Sequence, residues 1–286
     1  MTNAGLQLLV MLNHVANACG QVLLYPLSVL SDMWGALIVA LATGVLLLIA
    51  FKYTSNQAAI KKVRDGMKAD MLALSLFKDS VAVSLGSQGR IVLGALKLIG
   101  LSLVPILCMI VPVTLLLGQL SLWWQFRPLQ LGETAVITLQ LKTDKSNAGQ
   151  KPVWPPIEFE PSVAAPVTLG PVRIQSKRAV CWNVEARANG YHRLLFRVEG
   201  QDYAKDIAIG DGVMRVSRQR PGWSWADLLS YPAEAPFDPA SPVQSIEIQY
   251  PARTSWGTGG QSWPIYWFVG SSIAAFCLRG VFKVQF

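Results

Sequence analysis

The chain has 286 residues, of which 52% are hydrophobic and 15% charged, and its formal net charge is +8. Soluble domains carry about 25% charged residues, so this composition indicates an integral membrane protein. The positive charge does not indicate nucleic-acid binding, because 15 of the 25 basic residues lie within residues 127–253, beside 13 acidic ones. The excess of basic residues lies next to apolar segments. Retention of a loop in the cytoplasm and attraction to anionic membrane lipids account for basic residues at such positions.

The first segment, residues 1–32, is predicted to form a helix that lies on the outer membrane surface. Its apolar part is interrupted by Asn13, His14, Asn17, Gln21 and Pro26. Such a polar middle favours an interfacial position, and a buried or re-entrant element is the alternative. The segment lacks the basic start of a cleaved signal peptide, so we expect the first span to stay in the mature protein.

Residues 33–52 are predicted to form the first transmembrane helix, since about 20 apolar residues cross the hydrocarbon core. The first 51 residues contain no lysine or arginine, whereas residues 52–90 contain seven. Basic residues are retained on the cytoplasmic side of a span. The pattern therefore predicts an N-terminus outside. The expected location is the bacterial inner membrane, and another membrane with the same orientation rule is the alternative.

Residues 53–96 are predicted to form a cytoplasmic, basic and amphipathic segment. Its apolar residues recur every three or four positions, so they share one face of a helix: Ile60, Val63, Met67, Met71, Leu74 and Phe77. The glycines of residues 86–89 predict a break, after which the chain returns to the membrane. The segment is expected to form a short helical hairpin or a helix with a return along the surface.

Two further spans complete the predicted membrane part. Residues 97–124 contain Pro105 and Pro112 and are expected to form one long, tilted helix that ends in an aromatic belt. Residues 263–280 form the third span, and the basic tail of residues 281–286 lies in the cytoplasm.

Residues 125–262 are rich in apolar–polar alternation and in Pro/Gly turns, which predicts an extracytoplasmic β-sandwich, with an immunoglobulin-like layout as the leading choice. The predicted strands comprise residues 134–141, 179–186, 192–198, 207–209, 212–216 and 243–250. The proline-rich residues 152–171 are expected to cross between sheets as an irregular edge. A single helical turn is expected at residues 226–229.

The sequence contains no pattern that indicates an enzyme, a cofactor or a metal. Three of the four cysteines, Cys19, Cys108 and Cys277, fall in apolar segments, which leaves Cys181 alone in the polar region. Neither histidine has a neighbouring ligand residue, so a zinc site is not expected. We therefore expect no catalytic residues.

The helical part resembles the YidC/Oxa-type membrane insertase superfamily, in its three-span branch. Three segments carry the resemblance. Residues 6–30 are similar to the interfacial helix before the first core span, and residues 104–112 are similar to the Pro-containing start of the next core span. The third segment leads into the basic helix and reads Phe51-Lys52-Tyr53-Thr54-Ser55-Asn56-Gln57. Bacterial members carry an arginine within the first core span, whereas residues 42–48 are uncharged here. The β-sandwich is inserted between the second and third spans.

The resemblance implies a membrane-protein insertase or chaperone with a polar groove for client segments. The candidate groove and client-binding residues are Thr43, Lys52, Met67, Met71, Ser102 and Gln119. Helix packing or interface anchoring is the alternative role for each of them. The expected partners are membrane lipids and client membrane proteins, and not nucleic acid.

A second hypothesis is a structural or partner-binding subunit of a membrane-embedded assembly. Tryptophans anchor many protein interfaces, so the outer β-sandwich would bind its partner through Trp154, Trp223, Trp225 and Trp256. Their alternative role is to cover the sandwich or to touch lipid headgroups. An oligomer or a larger complex stays open at this point.

Overall fold

The computed structural model describes residues 3–30, 32–77, 80–142, 154–160, 162–254 and 259–284. The chain divides into two compact units. The first comprises Met1–Ala36 and Thr114–Pro264, and the second comprises Leu37–Val113 and Ile265–Phe286.

The helices of the described residues are α1 (Asn3–Leu24), α2 (Asp32–Thr54), α3 (Gln57–Leu76), α4 (Val81–Trp124), α5 (Trp225–Ser230) and α6 (Trp263–Phe282). Four segments of the described residues are long and apolar enough to cross a membrane: Ala4–Leu27, Asp32–Thr54, Val83–Trp124 and Trp263–Phe282. The first extends past the end of α1 at Leu24, and the others lie within α2, α4 and α6. The last three contain the predicted spans, but Val83–Trp124 begins 14 residues before the predicted start at residue 97. The first contains the helix that was expected at the membrane surface, and its length and composition allow either position.

Helix α3 confirms the predicted amphipathic helix. Its N-cap is Asn56, whose side-chain oxygen accepts a 3.0 Å hydrogen bond from the Ala59 N–H. Ile60 on the apolar face is buried. An asparagine cap satisfies one of the amide groups that a helix start leaves without an intrahelical acceptor, which explains why the helix begins directly after it.

The break predicted at residues 86–89 is wrong, because α4 runs without interruption from Val81 to Trp124. Each glycine in a helix costs only about 1 kcal/mol relative to alanine, which neighbouring contacts can offset. One such contact is the 3.0 Å hydrogen bond from Arg90 to the buried Ser87 hydroxyl. At about 1.5 Å per residue the helix is roughly 66 Å long, about twice the hydrocarbon thickness.

The β-rich region contains two antiparallel sheets. Its strands are β1 (Thr134–Leu141), β2 (Ile157–Glu160), β3 (Val167–Ile174), β4 (Ala179–Glu185), β5 (Gly190–Val198), β6 (Gln201–Ile209), β7 (Gln219–Arg220) and β8 (Val243–Ile248). The five-stranded sheet has the order β3-β4-β1-β8-β7, and the three-stranded sheet has the order β2-β5-β6. Buried residues of both sheets belong to one core.

Aromatic contacts join the two sheets across this core. The ring of Phe196 in β5 stacks on that of Phe159 in β2, with centroids 4.5 Å apart, and lies 5.5 Å from the ring of Trp182 in β4. Strands β5 and β6 are joined by a two-residue turn in which Glu199 and Gly200 both have positive φ. This backbone matches the twist of a tight hairpin, and glycine adopts it without strain.

The proline-rich stretch crosses from one sheet to the other, as expected, and it contains β2 and most of β3. Both are edge strands of their sheets. A proline such as Pro171 has no N–H to donate, which an edge strand tolerates and a central strand does not. Residues 212–216, in contrast, were predicted as a strand and form none. The expected helical turn is confirmed as α5.

Candidate functional site

Thr43 lies in the packing between α2 and α6. Its hydroxyl accepts a 2.8 Å hydrogen bond from the Trp267 indole N–H and donates to the Ala40 carbonyl at 3.0 Å. Gly44 follows, and a Cβ at this position would lie 2.4 Å from the Ser271 carbonyl oxygen. Small residues that permit so close a backbone approach are typical of membrane helix interfaces. The structure thus places the Thr43 side chain, which is buried, in a helix contact.

Lys52 and Ser102 are both half-buried. Lys52 lies in the last turn of α2, and no ion pair is recorded for it among the described residues. The Ser102 hydroxyl donates a 2.9 Å hydrogen bond to the Leu98 carbonyl of its own helix. Within the described residues, neither side chain has a hydrogen bond or ion pair to another helix.

Met67 and Met71 belong to the hairpin that α3 forms with the start of α4. A Cβ at Gly94 would lie 2.6 Å from the Met67 Cγ, so Met67 packs directly over this glycine. An ion pair of 2.7 Å joins Asp70 to Arg90 one helical turn further on. Met71, beyond this pair, is exposed. The two methionines therefore differ, since one fixes the hairpin and the other lies on its surface.

Gln119, near the end of α4, is buried and contacts α1. Its amide donates a 2.8 Å hydrogen bond to the Asn17 side-chain oxygen, which also accepts a 2.6 Å bond from Arg215. The Asn17 amide donates to the Pro232 carbonyl at 2.7 Å, and the Asn13 amide donates to the Leu228 carbonyl at 2.8 Å. The polar residues of α1 thus bind it to the β-rich region.

The tryptophan candidates have three different environments. Trp154 packs against the core and lies under Arg173, whose guanidinium carbon is 5.5 Å from the ring centroid. Trp223 packs beside the cluster formed by α1 and α5. Trp225 is 45% exposed. Trp256 lies outside the described residues.

A cavity of about 210 Å³ lies within the first unit, and sequence reasoning missed it. Residues 212–216 lie beside the end of α4, where the Val216 N–H donates a 2.8 Å hydrogen bond to the Leu122 carbonyl. Trp123 follows Leu122 in the sequence and Arg215 precedes Val216. Both Trp123 and Arg215 line the cavity. The Arg215 N–H also donates a 3.0 Å hydrogen bond to the Tyr191 hydroxyl. Burial lowers the pKa of the Arg215 guanidinium and raises the pKa of the Tyr191 phenol.

Glu234, which lines this cavity, forms an ion pair with Lys205 behind it. Lys205 is fully buried, and its ammonium donates to Glu234 and to the Ser217 carbonyl, the latter at 2.7 Å. Burial lowers the pKa of Lys205, and the Glu234 carboxylate opposes this change. Lys205 lies on the buried side of β6, in the same register as Tyr203 and Ile207, and no motif in the sequence marks it.

The described residues contain no cluster of three or more His, Cys, Asp or Glu that could hold a metal ion. All four cysteines are free thiols. Comparison of the chain with protein-family models, with curated proteins and with solved structures finds no match.

Proposed function

We propose that the protein is an insertase- or chaperone-like membrane protein that receives apolar client segments at the α3–α4 hairpin. The observation that carries this proposal is the apolar end of α3 with the residue that follows it, where four large apolar side chains are exposed: Met71, Leu72, Leu76 and Phe77. Leu72 and Leu76 are 70% and 77% exposed. Flexible methionine and leucine side chains adapt to apolar partners of different shape.

Helix α3 has a packed part near its start and an exposed part near its end. Ile60, Met67 and the Asp70–Arg90 ion pair hold the first two-thirds of α3. Beyond them Leu74 is half-buried, whereas Leu72 and Leu76 are exposed. Lys61, Lys62 and Lys68, all exposed, give the same helix a basic surface. An apolar client segment that leaves the ribosome would contact the apolar end of α3. The basic residues of the same helix would contact the anionic membrane beside it.

The proposed topology places the N-terminus and the β-rich region outside the bacterial inner membrane and the hairpin in the cytoplasm. The distribution of basic residues supports this orientation. The contacts of Asn13 and Asn17 support an interfacial α1, because a helix whose middle binds the β-rich region lies at the level of that region. Three spans, α2, α4 and α6, then cross the bilayer.

The relationship to the YidC/Oxa superfamily belongs to this proposal. In a client path of that kind, Lys52 and Ser102 are the remaining groove candidates, because the polar groups of Thr43 and Gln119 bind other parts of the chain. The two sheets and their shared core support an immunoglobulin-like arrangement of the outer region.

Photo-crosslinking in native membranes tests the client site. A photoreactive residue at Leu72 or Leu76 is expected to capture newly made membrane proteins, and the capture is expected to stop when translation is blocked. The same residue at Lys61, on the basic face, is the matched control. Adducts with lipid alone, or equal capture at Lys61, would contradict the proposal.

The second candidate, a fixed subunit of a membrane assembly, is favoured by the edge strand β3. Leu169 and Val172 on this strand are exposed, and exposed strand edges pair with partner chains. Replacement of both residues by serine in the full chain would then release a stable partner during affinity purification. Release by the Leu169/Val172 variant without any loss of client capture at Leu72 would favour this second function.

A further inference from the structure

The first part of α4 is the second arm of the hairpin that it forms with α3. Met67 packs over Gly94, and Asp70 pairs with Arg90, so residue numbers fall along α4 as they rise along α3. The two helices are therefore antiparallel. The start of α3, ten residues before Met67, lies at about the level of Val104, ten residues after Gly94. Residues 81–104 of α4 thus run beside α3.

Counting from the other end of α4 gives the same division. The helix ends at Trp123 and Trp124, and about 20 helical residues cross the hydrocarbon core, which assigns Pro105–Trp124 to the membrane. Residues 81–104 project beyond it by roughly 36 Å. In the proposed topology, on which this division rests, the hairpin lies in the cytoplasm, and water rather than lipid surrounds its two arms.

An apolar stripe, which we call the α4 seam, runs along the projecting arm. Its members are four and three residues apart in alternation: Leu85, Gly89, Val92, Leu96, Ile99 and Leu103. The five larger side chains are 52–69% exposed, so α3 and the other described residues leave the seam open. The alternation continues into the span at Ile106 and Ile110. Large apolar surfaces in contact with water mark interaction sites.

The pattern of the seam fits a second copy of the same helix. Its spacing averages about 3.5 residues, the period of the contact line between two helices of a left-handed coiled coil. The membrane holds two copies of the chain at the same depth and in the same direction, so a two-fold axis brings equal seam residues to the same level. The basic residues Arg90 and Lys97 lie one position past Gly89 and Leu96, outside the contact line. No charge therefore opposes the approach of two seams.

We infer that the protein forms a parallel homodimer in which the α4 seams of two copies pack against each other. Each seam residue then contacts its own counterpart across the axis. No described atom lies within 4 Å of a Cβ at Gly89, so this position leaves room for the partner helix. The exposed Leu72 and Leu76 of α3 are not members of the seam, and the client surface and the dimer contact are separate.

Cysteine crosslinking of the full chain in native membranes tests the dimer, in a background whose four native cysteines are replaced by serine. Val92→Cys, Leu96→Cys and Ile99→Cys are each expected to form a disulfide-linked homodimer on oxidation. Lys97→Cys is the matched control, because Lys97 is also exposed but lies about 100° around the helix from Leu96. It should give about tenfold less homodimer, since cysteines with distant Cα atoms do not form a disulfide.

Native mass spectrometry of the full chain in a maltoside detergent provides a second measurement. Leu96→Lys places two ammonium groups in the apolar contact and is expected to lower the ratio of dimer to monomer about tenfold. Leu96 is exposed in the single chain, so the substitution leaves the fold of each copy intact. Lys97→Gln is the control and should dimerise like the original chain.

Protein that is entirely monomeric, or equal crosslinking at Leu96 and Lys97, would overturn the dimer. Capture of newly made membrane proteins instead of a second copy at Leu96 would also overturn it, because the seam would then belong to the client surface. Adducts with lipid alone would have the same consequence. A homodimer without any client capture at Leu72 would support the dimer and contradict the client site, so the failures of the two proposals are distinguishable.

Discussion

The indole N–H of Trp267 donates a 2.8 Å hydrogen bond to the hydroxyl of Thr43, and both residues are buried. The bond joins α6 to α2, two helices that lie 224 residues apart at this contact. In an apolar environment an indole N–H without an acceptor is costly, so the pair fixes how the two helices face each other.

Thr43→Val is expected to destabilise the protein by about 1 kcal/mol, because valine keeps the shape but leaves the Trp267 N–H unpaired. Unfolding in mixed detergent micelles measures this change. Thr54→Val is the control, since the exposed Thr54 hydroxyl bonds to carbonyls of its own helix, that of Ala50 at 2.8 Å and that of Phe51 at 3.5 Å. Equal effects of the two substitutions would show that the interhelical bond contributes nothing.

Gly44→Ala is expected to cost about 1–3 kcal/mol, the usual cost of overpacking. The new methyl group would lie 2.4 Å from the Ser271 carbonyl oxygen. This oxygen belongs to the backbone of α6, so it can move away only if α2 and α6 separate. Gly100→Ala in α4 is the matched control, because no atom of the described residues lies within 4 Å of a Cβ there. The same unfolding measurement should show no loss for Gly100→Ala.

Asp32→Asn is expected to destabilise the first unit by about 3 kcal/mol, because it leaves a buried arginine without its counter-charge. Arg253 is only 7% exposed and lies 2.9 Å from the Asp32 carboxylate. Thermal unfolding followed by circular dichroism measures the loss. In the exposed pair of Arg197 and Asp202, Asp202→Asn should leave the melting temperature close to that of the original chain.

Glu234→Leu is expected to be more harmful than Lys205→Met. The first substitution leaves a fully buried ammonium without a carboxylate, which costs about 3–5 kcal/mol. The second replaces the lysine with an apolar side chain of similar length and leaves Glu234 with its bonds from Ser217 and the Asp206 N–H. Thermal melts of both variants decide the order, and a reversed order would contradict this account of the pair.

The stability of the β-rich region is expected to fall above about pH 10, the ordinary pKa of tyrosine. Tyr250 is buried, its hydroxyl accepts a 3.0 Å hydrogen bond from the Ala208 N–H, and burial raises its pKa. Above the ordinary pKa the unfolded chain therefore loses this proton while the folded chain retains it.

Tyr250→Phe should remove that part of the pH dependence and lower stability at neutral pH by about 1 kcal/mol through the lost acceptor. Denaturant titrations between pH 8 and about pH 11 measure both effects, the window being set by the ordinary tyrosine pKa. Tyr53→Phe, at a side chain that is 81% exposed, should leave the profile unchanged. If Tyr250→Phe leaves the pH dependence of stability unchanged, another group causes the loss of stability at alkaline pH.

Local patterns alone predicted much of the secondary structure. The alternation of residues 134–141 defined β1 at both ends, and helical spacing after Asn56 located α3. Both signals arise within about ten neighbouring residues, because period and capping depend on nearby side chains. The same reasoning was wrong at residues 86–89 and 212–216, where packing outweighed local preference.

The candidate sites required more than local pattern. Spacing placed Met67 and Met71 on the same apolar helix face, and it could not tell that Met67 packs over Gly94 whereas Met71 is exposed. The buried positions of Thr43 and Gln119 could not be read from sequence, because their partners Trp267 and Asn17 are distant in the chain.

What the sequence by itself determined is the order of apolar and alternating segments and the asymmetry of basic charge, since hydropathy and charge are summed along the chain. The tertiary structure alone decided that Arg215 reaches Asn17, 198 residues away, and that Trp123 lies in the same cavity. The physical reason is that a hydrogen bond between distant residues depends on how whole helices and sheets pack. No residue near either partner carries that information.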